Sequence, residues 1–86
     1  MLPSTGEFRS RGVLAFVVLT LDGALELDGI TVRATRTGEP RVVLPYRASR
    51  TGTKHPFVRV LDAQLKERIV ATVLDAYAAL EGGRAA

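Results

Sequence analysis

The sequence predicts an α+β fold: a four-stranded antiparallel β-meander followed by one C-terminal α-helix packed on one sheet face. Three observations carry that reading. Asp22-Gly23 is a turn dipeptide that supplies the positive φ angles of a type I′ hairpin, and it stands between two runs rich in Val, Leu, Phe and Ile. Thr37-Gly38-Glu39-Pro40 marks a second turn, and Pro45, which cannot donate to a sheet ladder, closes the next apolar run. Beyond these the period changes, because Leu65, Ile69, Val73, Tyr77 and Leu80 recur at spacings of 4, 4, 4 and 3. A length of 86 residues supports one domain, in which folding buries about 60 to 65% of the unfolded chain's surface.

In chain order, residues 1–11 lack periodicity and hold Pro3, Ser4, Thr5 and Gly6, so a flexible N-terminal segment is expected there. The domain is expected over 12–81. Val13 to Leu21 forms its first strand. The return strand from Ala24 to Asp28 alternates, with Leu25 and Leu27 on one side and Glu26 and Asp28 on the other. Gly29 marks a bulge or bend, after which Ile30 and Val32 share a face. Arg41 to Leu44 is a third strand. Residues 46–54 lack an apolar period and carry three bases, which predicts an exposed basic loop, and Phe57 to Leu61 follows as a fourth strand. Asp62 is a helix N-cap, and Gly82-Gly83 is a stop that ends the helix near Leu80 to Glu81, leaving 82–86 as a flexible tail.

The composition excludes several classes. Cysteine is absent, which removes disulfides and thiolate metal sites. The longest apolar run, Val13 to Leu19, falls far short of the ~20 residues that span a bilayer, so no membrane partner is expected. Glu7, Arg9 and Arg11 precede that run and no small-residue cleavage site follows it, which argues against a signal peptide and for a cytoplasmic protein. The net charge is +3, but nine of the twelve Lys and Arg residues lie between Arg33 and Arg68, where only Glu39, Asp62 and Glu67 oppose them. Such a surplus fits a polyanion partner or, more plainly, a solvated surface of scattered arginines.

The first strand raises a packing problem. Val13, Ala15, Val17, Leu19 and Leu21 line one face, while Leu14, Phe16 and Val18 line the other, so both faces are apolar. One helix covers one face. A homodimer through Leu14, Phe16 and Val18 would bury the second, and a monomer with residues 1–11 folded over it is the alternative.

From Gly12 to Tyr77 the residues also resemble the stage V sporulation protein G family of septation regulators. Leu19-Thr20-Leu21-Asp22 resembles that family's Ile-Thr-Leu-Asp strand end, and Ile30-Thr31-Val32 its Ile-x-Val. Val42-Val43-Leu44-Pro45 is similar to its Phe-Val-Ala-Met-Pro strand, with Gly52 at its loop glycine, and Ile69, Val73-Leu74 and Tyr77 reproduce its helix pattern Ile-x-x-x-Val-Leu-x-x-Tyr. Two features depart from it. Residues 1–11 do not reproduce the opening strand Ile-Thr-x-Val-Arg, and His55-Pro56 stands four residues before the family's proline pair, where this chain has Arg59-Val60. The resemblance implies a dimer with a small antiparallel sheet and a helix, binding DNA or RNA in the regulation of gene expression and septation.

For catalysis the sequence offers little. It has one His, no Gly-rich phosphate loop and no nucleophile elbow, so neither an enzyme nor a cofactor or small-molecule substrate is expected. His55 beside the basic loop reads as a surface histidine. Asp22, Glu26 and Asp28 read as solvated carboxylates rather than a metal site, since hard cations need several converging oxygens. For nucleic acid the candidates are Arg47, Arg50 and Lys54 in the loop, Arg59 at the fourth strand, and Lys66 and Arg68 in the first turns of the helix. Tyr46 is the one candidate stacking platform. The expectation is weakly sequence-specific binding, and the alternative is a structural or protein-interaction dimer whose arginines meet an acidic partner.

Overall fold

The computed structural model describes residues 1–85, with side chains described through residue 82. The elements are β1 (Leu2–Pro3), α1 (Gly6–Ser10), β2 (Val13–Leu21), β3 (Leu25–Ala34), β4 (Pro40–Val43), β5 (Tyr46–Ala48), β6 (Lys54–Pro56) and α2 (Ala63–Ala85). An antiparallel sheet runs in the order β1-β2-β3-β4, and β5 and β6 form a separate two-stranded sheet. The fold is α+β, with a four-stranded antiparallel sheet and a C-terminal helix.

The β2–β3 hairpin follows its turn chemistry. Asp22 and Gly23 sit at φ 53° and 64°, the left-handed values that a primed turn demands, and the Ala24 amide donates to the Leu21 carbonyl at 2.9 Å. At Gly29 the ladder shifts: Val17 pairs with Ile30 but Leu19 with Leu27, so Asp28 and Gly29 together face Val18. Gly29 adopts φ 85°, and its amide donates to Asp28 Oδ1 at 2.7 Å. This bulge keeps Leu27 and Ile30, three residues apart, on the same side of the sheet. Both then pack with the core, in which Ala15, Val17, Ile30 and Val32 meet Ile69, Val73 and Tyr77 of α2.

The helix begins as its cap residue dictates, with Asp62 Oδ1 accepting from the amides of Gln64 at 2.9 Å and Leu65 at 3.1 Å. Of the expected apolar stripe, Ile69, Val73 and Tyr77 are buried, Leu80 is half-buried, and Leu65 in the first turn is exposed. The far end differs from expectation. Gly82-Gly83 does not stop the helix, which continues to Ala85; glycine costs about 1 kcal/mol in a helix interior but forbids nothing. The tail expected over 82–86 is thus helical through Ala85, and Ala86 lies outside the described residues.

Three further expectations are corrected. Residues 1–11 are tied down: β1 pairs Leu2 with Phe16 and Pro3 with Ala15, and the Ser4 amide donates to the Leu14 carbonyl at 3.0 Å. The buried Ser4 hydroxyl donates to the Val13 carbonyl. These are mostly backbone interactions, which leave no period in the sequence. The fourth strand of the sheet is therefore β1, and Phe57 to Leu61 is irregular, with Phe57 and Leu61 exposed. It follows directly on the β5–β6 hairpin, at whose base the Phe57 amide donates to the Pro45 carbonyl at 3.0 Å. Residues 46–54, expected as an open loop, belong to that β5–β6 hairpin, closed where the Ser49 amide donates to the Thr53 carbonyl at 2.8 Å. Both outer strands of the main sheet contain a proline, Pro3 in β1 and Pro40 in β4.

Candidate nucleic-acid interface

The β3–β4 ladder sets the centre of the basic region. The chain folds back through Thr35–Glu39, so Ala34 pairs with Pro40 and Arg33 with Arg41. Two arginines directly opposite one another on adjacent strands repel, and the arrangement costs stability unless an anion intervenes. None does within the protein: among the described residues, the ion pairs are Arg9 with Glu81 and Arg11 with Glu7, and neither involves the basic stretch from Arg33 to Arg68.

The β5–β6 hairpin brings a further cation and an aromatic ring to the same place. Alternation along β5 separates Tyr46 from Arg47, and the Tyr46 ring centroid lies 5.7 Å from the Arg33 guanidinium carbon and 5.2 Å from Lys54 Nζ. Such contacts stabilise by about 0.5–1 kcal/mol at exposed sites, so the ring holds two like charges close together. Arg33 is further fixed by its Nε, which donates to Thr31 Oγ1 at 3.2 Å. Arg33, Arg36, Arg41, Tyr46 and Lys54 together line a cavity of about 320 Å³, whose remaining lining (Ala34, Thr35 and Val43) contains no carboxylate.

Of the residues singled out from the sequence, the structure therefore brings Tyr46 and Lys54 together. Arg47 pairs with His55 across the hairpin, Arg50 lies between Ser49 and Thr51 at its tip, and both arginines are exposed. Arg59 is exposed in the irregular segment before α2. Lys66 and Arg68 are exposed on the first turns of α2, and Arg68 lines a different depression of about 240 Å³ with Leu19, Asp22 and Leu65. Sequence reasoning missed Arg33, Arg36 and Arg41. The signal was present in the turn Thr37-Gly38, since counting outward from it places Arg33 opposite Arg41.

The second face of β2 carries Phe16, 38% exposed, and Val18, 49% exposed, while Leu14 is half-buried and packs with the core. The N-terminal segment reaches this face but does not close it. Phe8 of α1 meets Phe16 edge-on, with ring centroids 5.3 Å apart and planes at 88°, and Phe8 itself stays exposed. Elsewhere, His55 is exposed on β6, and among the described residues no three His, Asp or Glu side chains gather as metal ligands. No described helix is long and apolar enough to cross a membrane. Comparison with protein-family models, curated proteins and solved structures finds no match to this chain.

Proposed function

We propose that the chain is a non-catalytic, cytoplasmic nucleic-acid-binding regulator, similar to the stage V sporulation protein G family, that contacts DNA or RNA through phosphates. The observation that carries this reading is the unneutralised basic cluster. Arg33 and Arg41 face each other, Lys54 stands beside them over Tyr46, and no carboxylate lines the cavity they share. A fold that keeps like charges adjacent gives up stability, and an external polyanion restores it. Arg47 and Arg50 on the same hairpin extend the positive surface. Phosphate contacts of this kind position a nucleic acid without reading its sequence, so binding is weakly specific. The link to gene expression and septation rests on the resemblance alone.

The test is binding of single- and double-stranded DNA and RNA at two salt concentrations. The triple variant Arg47→Ala, Arg50→Ala, Lys54→Ala should weaken binding to all sequences alike and flatten the slope of log affinity against log salt by about two. Absence of binding at low salt by the unaltered chain would refute the proposal.

The exposed Phe16 and Val18 favour a second reading, a homodimer that serves as a structural or protein-interaction module with no nucleic-acid role. A two-fold axis through this face would set Phe16 and Val18 against their own copies. The two readings separate in one experiment, because an acidic protein partner survives nuclease treatment in a pull-down and a nucleic-acid partner does not.

A further inference from the structure

We infer that the cavity between β3, β4 and the β5–β6 hairpin is a site for a phosphate group carrying at least two negative charges, a phosphate monoester or a pyrophosphate. This deepens the nucleic-acid reading, since such a group occurs at the 5′-phosphorylated end of a strand and on a free nucleoside di- or triphosphate. An internal nucleotide offers something different, a diester with a single charge.

The charge count decides between them. Arg33 from β3, Arg36 from the β3–β4 turn, Arg41 from β4 and Lys54 from β6 line one cavity with no acid among them. Four cations around a single diester would remain largely uncompensated, whereas a pyrophosphate or terminal phosphate offsets most of their mutual repulsion. Shape agrees with charge. A half-open cavity of about 320 Å³ lies at the lower end of small-ligand sites and has room for a phosphate or pyrophosphate group. Preorganisation also agrees: the Thr31 hydroxyl engages Arg33 Nε, leaving the terminal nitrogens of the guanidinium to meet phosphate oxygens in pairs. Tyr46 lies within cation–π distance of both Arg33 and Lys54, so here the ring serves the cations.

The experiment uses the full chain and two fluorescent single strands of one sequence, one with a 5′-phosphate and one with a 5′-hydroxyl, together with calorimetric titration of inorganic pyrophosphate and of a nucleoside triphosphate. The phosphorylated strand is expected to bind at least about tenfold more tightly, or the small ligands to bind directly, the scale of one or two charge-assisted hydrogen bonds. A preference for the phosphorylated strand identifies strand ends as the source; binding of the triphosphate without that preference identifies free nucleotides. In both cases Arg36→Gln and Arg41→Gln, exposed positions whose variants should melt no lower than the parent because each removes a like charge from the cluster, must abolish the effect. If both strands bind equally and pyrophosphate gives no heat, the inference is overturned while the nucleic-acid reading stands. If pyrophosphate binds and neither strand does, the cavity assignment stands and the nucleic-acid reading falls. Persistence of the effect in both folded variants would place it elsewhere and overturn the inference.

Discussion

Arg9 Nη2 donates to Glu81 Oε1 at 2.7 Å, joining residues 72 positions apart and fastening α1 to the last turns of α2. Buried Tyr77 lies one helical turn before Glu81, and the Arg9 Nε beside them is buried with no partner. The two ends of the described chain are thus linked over the core by one charged pair on partly exposed side chains. Replacing either residue, as Arg9→Met or Glu81→Gln, should lower the melting temperature, and the double variant should lose less than the sum of the two. Strict additivity in a thermal double-mutant cycle would show that the pair contributes no coupling.

Tyr77 gives a pH dependence of known sign. Burial pushes its phenol above the usual tyrosine value, Glu81 adds to the rise, and Arg9 opposes it. A raised folded-state value means that the folded chain holds its proton more tightly than the unfolded chain. The stability it contributes is therefore fully present below pH about 10 and is lost as pH climbs through the folded-state value. Urea denaturation at several alkaline pH values should show this loss in the parent chain and less of it in Tyr77→Phe; parallel curves would contradict the assignment.

Gly29 and Gly82 should respond in opposite directions to alanine. At Gly29 the left-handed backbone opposes any side chain, although a Cβ would meet Pro45 only at an ordinary 3.5 Å. Gly29→Ala should destabilise by about 1–2 kcal/mol from backbone strain. Gly82 is helical with open space around it, so Gly82→Ala should stabilise by about 0.5–1 kcal/mol. Chemical denaturation of both variants checks the pair.

Val17 and Phe16, adjacent on β2, face opposite sides. Val17 is 5% exposed against α2, and Val17→Asp should unfold the chain, because an unpaired buried charge costs several kcal/mol, on the order of its whole stability. Phe16→Asp should leave a cooperative melt and, if the open face pairs with a second copy, reduce the light-scattering mass to that of one chain. Unfolding of both variants would show that the second face is also core.

His55→Ala should leave folding and nucleic-acid binding within about twofold, as for surface positions generally. His55 is exposed on β6, opposite Arg47. A tenfold loss in either assay would restore the question of a catalytic or metal-binding histidine.

The sequence made legible those features whose causes are local. Asp22-Gly23 specified its turn, Gly29 its bulge, Asp62 its cap, and Ile69, Val73 and Tyr77 the buried stripe, because each acts through its own backbone or its nearest turn. The segment 57–61 misled, since alternating Val58 and Val60 mark a strand only where the backbone pairs with a neighbour, and this segment runs on irregularly from the β5–β6 hairpin to α2. Residues 1–11 misled in the opposite sense. Their order comes from backbone pairing with β2, the Phe8–Phe16 contact and the Arg9–Glu81 pair, all long-range and invisible to periodicity. The basic cavity was half legible: Lys54 and Tyr46 stood out by composition, whereas Arg33 and Arg41 needed the register of a ladder.

The prolines in the two flanking strands bear on how copies of the chain can associate. Pro3 in β1 and Pro40 in β4 each remove an amide donor from a rim of the sheet, β1 is only two residues long, and Arg41 adds charge to the other rim. Strand-by-strand extension into a ribbon, which has no natural end, is thereby discouraged at both sides. Phe16 and Val18 add apolar surface on the broad face, and a face that meets its own copy is used up in the encounter. Pairing of copies through that face would close on itself rather than continue as a polymer.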